Sequence, residues 1–325
     1  MAGYSYREDD DVLALIGTLR NTRYIQRMRI LVTGATGFVG SNLVKAIART
    51  HEIVAVGRRA EQSPAHIPIM HYGDLLNIPW KNVGHIDALL HQAAITDTSV
   101  RDRDFMMRVN LESSKILFQE AARRGCTRIV FASSTAVYGN TSSPLREDGP
   151  LDPLNPYAES KVLLEEYAKE FVIEHPSVCV VALRYCNVYG PGESHKGPMA
   201  SMIYKLARQM QTGDPTLFAY GSQRRDYIYV DDVVRANVAA LDAEESCVVN
   251  CATGASPTFN EVVDVLNDEL GLARTPVYIE NPHPDSYQSD IRCDVSRARE
   301  LLGFTAEYDL ARGIREYHAS GLLTS

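Results

Sequence analysis

From Met28 onward, short apolar runs alternate with longer segments in which apolar residues return every three or four positions. The runs at 29–33, 53–56, 86–91, 128–132 and 178–183 have the length and residue types of buried strands. The segments at 39–49, 104–124 and 157–174 carry the helical period. Strands alternating with helices specify βαβ units and right-handed crossovers, so the pattern predicts an α/β, doubly wound parallel sheet. Past residue 183 the alternation loosens, with helices predicted near 199–211, 232–241, 260–270 and 296–302. The expected organisation is a larger unit over 28–183, rejoined by a segment at about 226–252, and a smaller interleaved lobe over most of 184–325. Residues 1–27 are charged and only weakly periodic, apart from a short amphipathic stretch at 12–19, and read as an extension outside the fold. No internal repeat is evident.

Composition narrows the function more than the fold. With 325 residues, 45% of them hydrophobic, the chain can bury a large core. Thirty-three basic against 41 acidic residues give a net charge of −8. That argues against nucleic-acid or membrane partners and leaves room only for a local basic pocket. The six cysteines form no Cys-x-x-Cys pair and have no histidine partner at zinc spacing, so no metal is expected. Cys179 and Cys186 sit in apolar surroundings and read as core thiols of a reducing compartment. No apolar run reaches the length of a membrane span, and the acidic N-terminus is unlike a signal peptide. A soluble, cytoplasmic protein is the expectation.

The first strand runs into Gly34-Ala35-Thr36-Gly37-Phe38-Val39-Gly40 and then a helix. Glycines at this place allow a tight turn and close approach of backbone to a pyrophosphate, with the helix N-terminus facing the anion. The spacing is Gly-x-x-Gly-x-x-Gly, and its context predicts the dinucleotide-binding half of a Rossmann fold. NAD binders place an acid at the end of the second strand, for the ribose 2′-hydroxyl. Here Val56-Gly57-Arg58-Arg59 puts two guanidiniums there, which suit a 2′-phosphate. NADP is therefore the expected cofactor, with NAD the alternative. Asp74 and Leu75 are expected to border the adenine, and Ala93, Ala94 and Asn110 to line the rest of the cofactor path.

Tyr157 and Lys161, spaced i, i+4, share one helix face. A free phenol, with a pKa of about 10, is a poor base at neutral pH. A neighbouring ammonium and a positive nicotinamide ring both favour the phenolate. Lys161 can also hold the ribose hydroxyls. Upstream, Ser133-Ser134-Thr135-Ala136 closes the 128–132 strand. Ser134 is expected to hydrogen-bond the reacting oxygen beside Tyr157, and Ser133 to face the cofactor.

Taken together, these features resemble the extended short-chain dehydrogenase/reductase family of nucleotide-sugar epimerases and dehydratases. The resemblance runs from Met28 almost to the C-terminus. It includes Thr33, Asn110, Arg184-Tyr185-Cys186-Asn187-Val188-Tyr189-Gly190-Pro191 and Arg225-Asp226-Tyr227-Ile228-Tyr229-Val230. It implies an NAD(P)-dependent isomerase that oxidises its sugar and then reduces it again, and a homo-oligomer. The family's dehydratases carry Asp-Glu just after the active hydroxyl residue, where this chain has Thr135-Ala136, which argues against dehydration.

Within the family, His195-Lys196-Gly197-x-Met199-Ala200-Ser201 is similar to the run found in the ADP-glycero-manno-heptose 6-epimerases, whose product is a lipopolysaccharide precursor. That similarity implies inversion at C6 through a transient 6-keto sugar, with Tyr157 and Lys196 acting on opposite faces. It also implies Arg225 at the nucleotide diphosphate and Asn187, Phe218 and Tyr287 around the sugar or nucleotide. Three positions depart from it: Pro198 in place of Ser, Lys205 in place of His, and an additional residue at Ala219-Tyr220. All lie on the substrate side. Two alternatives stay open, a UDP-hexose 4-epimerase using Tyr157 and Ser134 without Lys196, and a non-catalytic NADP-sensing protein.

Overall fold

The computed structural model describes residues 27–58, 67–71, 75–280 and 290–324. The first six strands are β1 Arg29–Thr33, β2 Glu52–Gly57, β3 Ile69–His71, β4 Ala88–His91, β5 Arg128–Ser134 and β6 Cys179–Tyr185. Then come β7 Asn187–Tyr189, β8 Thr216–Phe218, β9 Arg224–Arg225, β10 Tyr227–Tyr229, β11 Cys247–Cys251, β12 Val277–Ile279 and β13 Asp290–Ile291. The first helices are α1 Phe38–Ile47, α2 Trp80–Val83, α3 Arg103–Met106, α4 Ser113–Arg123 and α5 Pro156–Glu174. The later ones are α6 Met202–Thr212, α7 Val230–Leu241, α8 Phe259–Leu270, α9 Ser296–Leu302 and α10 Leu310–Ala319.

Seven strands form one parallel sheet in the order β11-β6-β5-β4-β1-β2-β3, which reverses direction at β1 and β4. Parallel strands between helical layers are buried on both faces, and the apolar runs show it: Ile30, Leu31 and Val32 are all fully buried. Successive side chains point to opposite faces. Ile30 and Val32 join Leu43, Val44 and Ile47 of α1 and Val233 and Val234 of α7. Leu31 joins the other layer with Leu117 and Phe118 of α4 and Leu164 and Phe171 of α5. A third core holds Tyr189, Ile203, Leu206, Leu217, Tyr229, Val262, Leu266 and Ile314, and packs α6, α8 and α10 into a lobe. Three short parallel pairs, β7 with β10, β8 with β12 and β9 with β13, complete the strands among the described residues.

The structure adds two features to the sequence pattern. The helical segment at 104–124 is broken by a π-turn over Met107–Glu112 between α3 and α4. The helix expected at 199–211 begins only at Met202, after a 3₁₀ stretch at Ser194–Met199 interrupted at Gly197 (φ 52°). Ser201 starts α6 by accepting from the Tyr204 N–H.

Candidate active site

The candidate residues gather at the carboxyl ends of β1, β4, β5 and β6, where open α/β sheets bind ligands at their switch point. Gly34 has a left-handed φ of 69°, and a Cβ there would lie 2.8 Å from the Ala93 nitrogen. The turns after β1 and β4 can therefore touch only because residue 34 has no side chain. A Cβ at Gly40 would overlap the Gly34 carbonyl oxygen, so α1 packs directly on the turn that precedes it. Gly37 caps α1 without a side-chain cap, and no acid stands in the first turn. Phe38 is buried and Val39 packs against the sheet core, which leaves the backbone amides of this turn as its polar surface. The cradle fits a pyrophosphate.

At the end of β2, Thr36 lies against Gly57: a Cβ at 57 would meet its Oγ1 at 2.8 Å. A side chain at that position would have to displace Thr36, and exposed Arg58 follows it. Leu75 is buried in the core beneath α4 and α5, so only its backbone can border a ligand. Ala93 and Ala94 are half-buried in the segment after β4. Arg59, Asp74 and Tyr287 lie outside the described residues, as do residues 1–26.

Tyr157 and Lys161 occupy the first turns of α5, which starts at the Asn155 cap with Pro156 in first position. Lys161 is 3% exposed, donates to the Ala132 carbonyl at 2.6 Å and stands 5.8 Å from the centre of the Tyr157 ring. Burial draws its ammonium down to about 8, against the pull of Glu165. Burial pushes the Tyr157 phenol up, and a hydrogen bond with Ser134 opposes that. The Ser134 hydroxyl also accepts from the Ala136 N–H at 3.1 Å. A phenol, a hydroxyl and an ammonium thus converge at one strand end, a set able to move a proton to or from a sugar hydroxyl.

Ser133 does not face a cofactor, contrary to the expectation. Alternation along β5 sends it to the other face, where its hydroxyl donates to Glu165. Arg184 closes on the same carboxylate in bidentate fashion, at 3.0 and 2.6 Å, with both partners buried.

Asn110, on the π-turn, brackets Ile95: its Oδ1 accepts from the Ile95 N–H at 2.8 Å and its Nδ2 donates to the Ile95 carbonyl at 2.9 Å. The turn is held to the sheet by a one-way chain. Ser114 donates to the Asn110 carbonyl, so it accepts from His91 Nε2 at 2.8 Å; His91 Nδ1 in turn accepts from Thr33 at 2.7 Å. Burial draws His91 down to about 3, so the ring is neutral with its proton on Nε2.

Lys196 approaches from the lobe side. Its Nζ stands 5.4 Å from the centre of the Phe38 ring, directly above the cofactor turn. Its loop is pinned to α1 by Asn42, which donates to the Pro191 carbonyl at 2.9 Å. Burial draws the Lys196 ammonium down; Glu193 opposes this and Lys205 adds to it. Asn187 donates to the Asp226 carbonyl at 2.9 Å where β7 pairs with β10. Arg225 is buried, with its guanidinium 5.7 Å from the centre of the Phe259 ring, and half-buried Phe218 ends β8.

Sequence reasoning missed a polar ring at the ends of β4 and β6. Tyr185 donates to Gln92, Gln92 donates to Asn237, and Asn237 donates back to Tyr185, at 2.7–3.0 Å. Tyr185 lies near enough to Tyr157 for that phenol to oppose its ionisation, after burial, which is the larger cause. The one local signal was a polar Asn237 in an apolar helix stretch. Glu193 was missed as well, since a Glu in a Gly/Pro loop carries no mark of burial.

Residues 30–252 match the family model described as "NAD dependent epimerase/dehydratase family". An ADP-L-glycero-D-manno-heptose-6-epimerase of Alkalilimnicola ehrlichii is 36% identical over 309 residues, covering 89% of this chain and 96% of that one. Among solved structures, the Helicobacter pylori ADP-L-glycero-D-manno-heptose-6-epimerase superposes with a TM-score of 0.82 at 30% identity, covering 91% of this chain and 96% of its own. The UDP-glucose 4-epimerase of Thermotoga maritima, solved with UDP-glucose, also reaches 0.82, at 28% identity and with 91% and 100% covered.

Proposed function

The chain belongs to the NAD-dependent epimerase/dehydratase family, and from that premise we propose that it is a nucleotide-sugar epimerase that inverts C6 of an ADP-glycero-manno-heptose with NADP. The observation that carries the reading is Lys196, held over Phe38 at the mouth of the cofactor turn. It supplies a second amine in addition to Tyr157 and Lys161. Inversion of one carbinol carbon calls for two proton-transfer groups. Oxidation removes the C6 hydride and the O6 proton and gives a 6-keto sugar; reduction on the other face returns both with the configuration reversed. A bound nicotinamide dinucleotide supplies the hydride acceptor and donor.

Each residue has a part in that scheme. Tyr157 exchanges the O6 proton on one face, with Ser134 hydrogen-bonding the same oxygen. Lys161 holds the ribose and favours the phenolate, since an opposite charge at close range stabilises the ionised form. Lys196 exchanges the proton on the other face after the keto sugar turns. Arg225 pairs the diphosphate, and Asn187 and Phe218 border the sugar or nucleotide. The preference for NADP is supported by Gly57, which carries no ribose-binding acid, and by Arg58 beside it.

The test is incubation of the purified protein with ADP-D-glycero-D-manno-heptose and no added cofactor, followed by NMR of the product. A mixture of C6 epimers is the expected result. Absence of conversion, with NADP released on denaturation, would sink the assignment of the sugar but leave the redox machinery. A 4-epimerase of UDP-hexoses is the second reading, favoured by the Thermotoga maritima relative. Lys196→Met separates the two, since epimerisation collapses under the first and persists under the second.

A further inference from the structure

Four exposed apolar side chains of the lobe meet at the end of β8. They are Tyr220, which follows that strand, and Val277, Tyr278 and Ile279 of β12, which pairs with it. Tyr220 is 78% exposed and Tyr278 44%, and their ring centres stand 5.8 Å apart with the planes at 49°. Tyr220 has φ 57° and ψ 24°, the one non-glycine among the described residues with a left-handed backbone. Side chains disfavour that conformation, and it persists only where surrounding contacts impose it. The contact here is Asn260. Its Nδ2 donates to the Tyr220 carbonyl at 2.9 Å, and its Oδ1 accepts from the Tyr278 hydroxyl at 3.2 Å. Gly221 makes room for it, since a Cβ at 221 would overlap the Asn260 Oδ1 at 2.1 Å. One amide thus fixes both tyrosines and leaves most of the Tyr220 ring open to solvent.

Asn260 is the second residue of α8, and the first is Phe259. The Arg225 guanidinium stands 5.7 Å from the centre of the Phe259 ring, and the Phe259 N–H donates to the Gln223 carbonyl at 3.1 Å. The first turn of α8 therefore joins the aromatic pair to Arg225. An open aromatic ring close to a cation matches the two ends of a nucleoside diphosphate. The cation takes the phosphates, and the base, planar and apolar on its faces, lies against the ring. We propose that Tyr220, backed by Tyr278, stacks the nucleobase of the nucleotide sugar whose diphosphate Arg225 pairs. The proposal rests on the functional reading above and adds to it the place of the base. Stacking asks only for a π face, which purines and pyrimidines both have, and the larger purine covers more of the ring. The left-handed backbone at Tyr220 is what presents the ring outward instead of folding it into the lobe core.

The experiment measures, by calorimetry, the binding of ADP and of inorganic pyrophosphate to the full-length protein saturated with NADP. Tyr220→Gly removes the ring and suits the left-handed backbone, so the loop keeps its shape. Tyr220→Trp keeps a stacking face. Affinity for ADP falls about tenfold in Tyr220→Gly and is retained in Tyr220→Trp, while affinity for pyrophosphate is the same in all three proteins. In Tyr220→Trp, ADP changes the indole fluorescence and pyrophosphate does not. Unchanged ADP affinity in Tyr220→Gly overturns the proposal, as does an equal loss for ADP and pyrophosphate. A wild-type protein that binds ADP no better than pyrophosphate overturns it too. If Tyr220→Gly alters only the mass of the assembly in light scattering, the patch is an interface between copies and the proposal falls. Tighter binding of UDP than of ADP by the wild type sinks the ADP-heptose reading alone, and the same variant comparison made with UDP then decides the stacking.

Discussion

Lys161 is the residue whose chemistry and stability are most tightly coupled. Its ammonium, drawn by burial from the usual lysine range to about 8, binds its proton less firmly in the folded chain than in the unfolded one. Between those two values the unfolded state holds more protons, so the contribution of Lys161 to stability rises with pH across that window. Below it, the folded state bears the full cost of a buried charge. Lys161→Met removes that charge and with it the pH dependence. Relative to Lys161→Met, the ligand-free wild type is expected to gain about 2 kcal/mol between about pH 7 and about pH 9.5. Urea unfolding of both proteins at the two pH values measures it, and a constant difference would contradict the assignment. In the same folded state Lys161 is poised near neutral pH, where small changes around it alter its own charge. The cost of burying an amine and the use proposed for it are therefore one arrangement.

At the scale of elements, the β1-turn-α1 unit is the most demanding, because its contacts are backbone against backbone. Gly40→Ala drives a methyl into the Gly34 carbonyl oxygen, so α1 must move off the turn. The expected outcome is loss of dinucleotide from the purified protein, read by absorbance after denaturation, with the sheet core still folded by circular dichroism. A variant that retains its cofactor would show the turn to be more compliant than its packing implies. This unit was fully legible in the sequence, since a strand, three spaced glycines and a helix are local signals. Tyr157 with Lys161 was legible for the same reason. β3 was not, as three residues, Ile69, Met70 and His71, are too short to show a period. Nor was the π-turn at Met107–Glu112, because one extra residue per turn hardly disturbs the apolar spacing on either side. Its cause is nonlocal: Asn110 must reach Ile95, and Ser114 must reach His91. Ser133 was misread because strand parity alone left open which of two adjacent serines points at the site. Only the Glu165–Arg184 pair on the opposite face decides it.

Across the whole molecule, the same pair ties α5 through the main sheet to the segment that follows β13. Arg184 binds Glu165 of α5 and donates to the Tyr138 hydroxyl at 2.8 Å; that hydroxyl donates to Asn250 of β11 at 2.7 Å. Asn250 then donates to the carbonyls of Leu145 and Asp294, each at 3.0 Å, reaching the segment that follows β13. No surface ion pair could do this, because exposed pairs contribute little and are screened by salt. A buried pair behaves asymmetrically: keeping both charges costs desolvation, whereas removing one leaves the other stranded. Arg184→Met leaves the Glu165 carboxylate buried beside Ser133, and destabilisation of about 3–5 kcal/mol is expected in denaturant unfolding. Tyr138→Phe removes only the hydroxyl and is expected to cost about 1–3 kcal/mol. Since both act on one connected network, the double variant should lose less than the sum of the two. Additive losses would mean that α5 and β11 are held by separate contacts. A sub-additive result would identify the buried chain from Glu165 to Asp294 as the link that keeps the Tyr157 helix in register with β11 and the segment after β13.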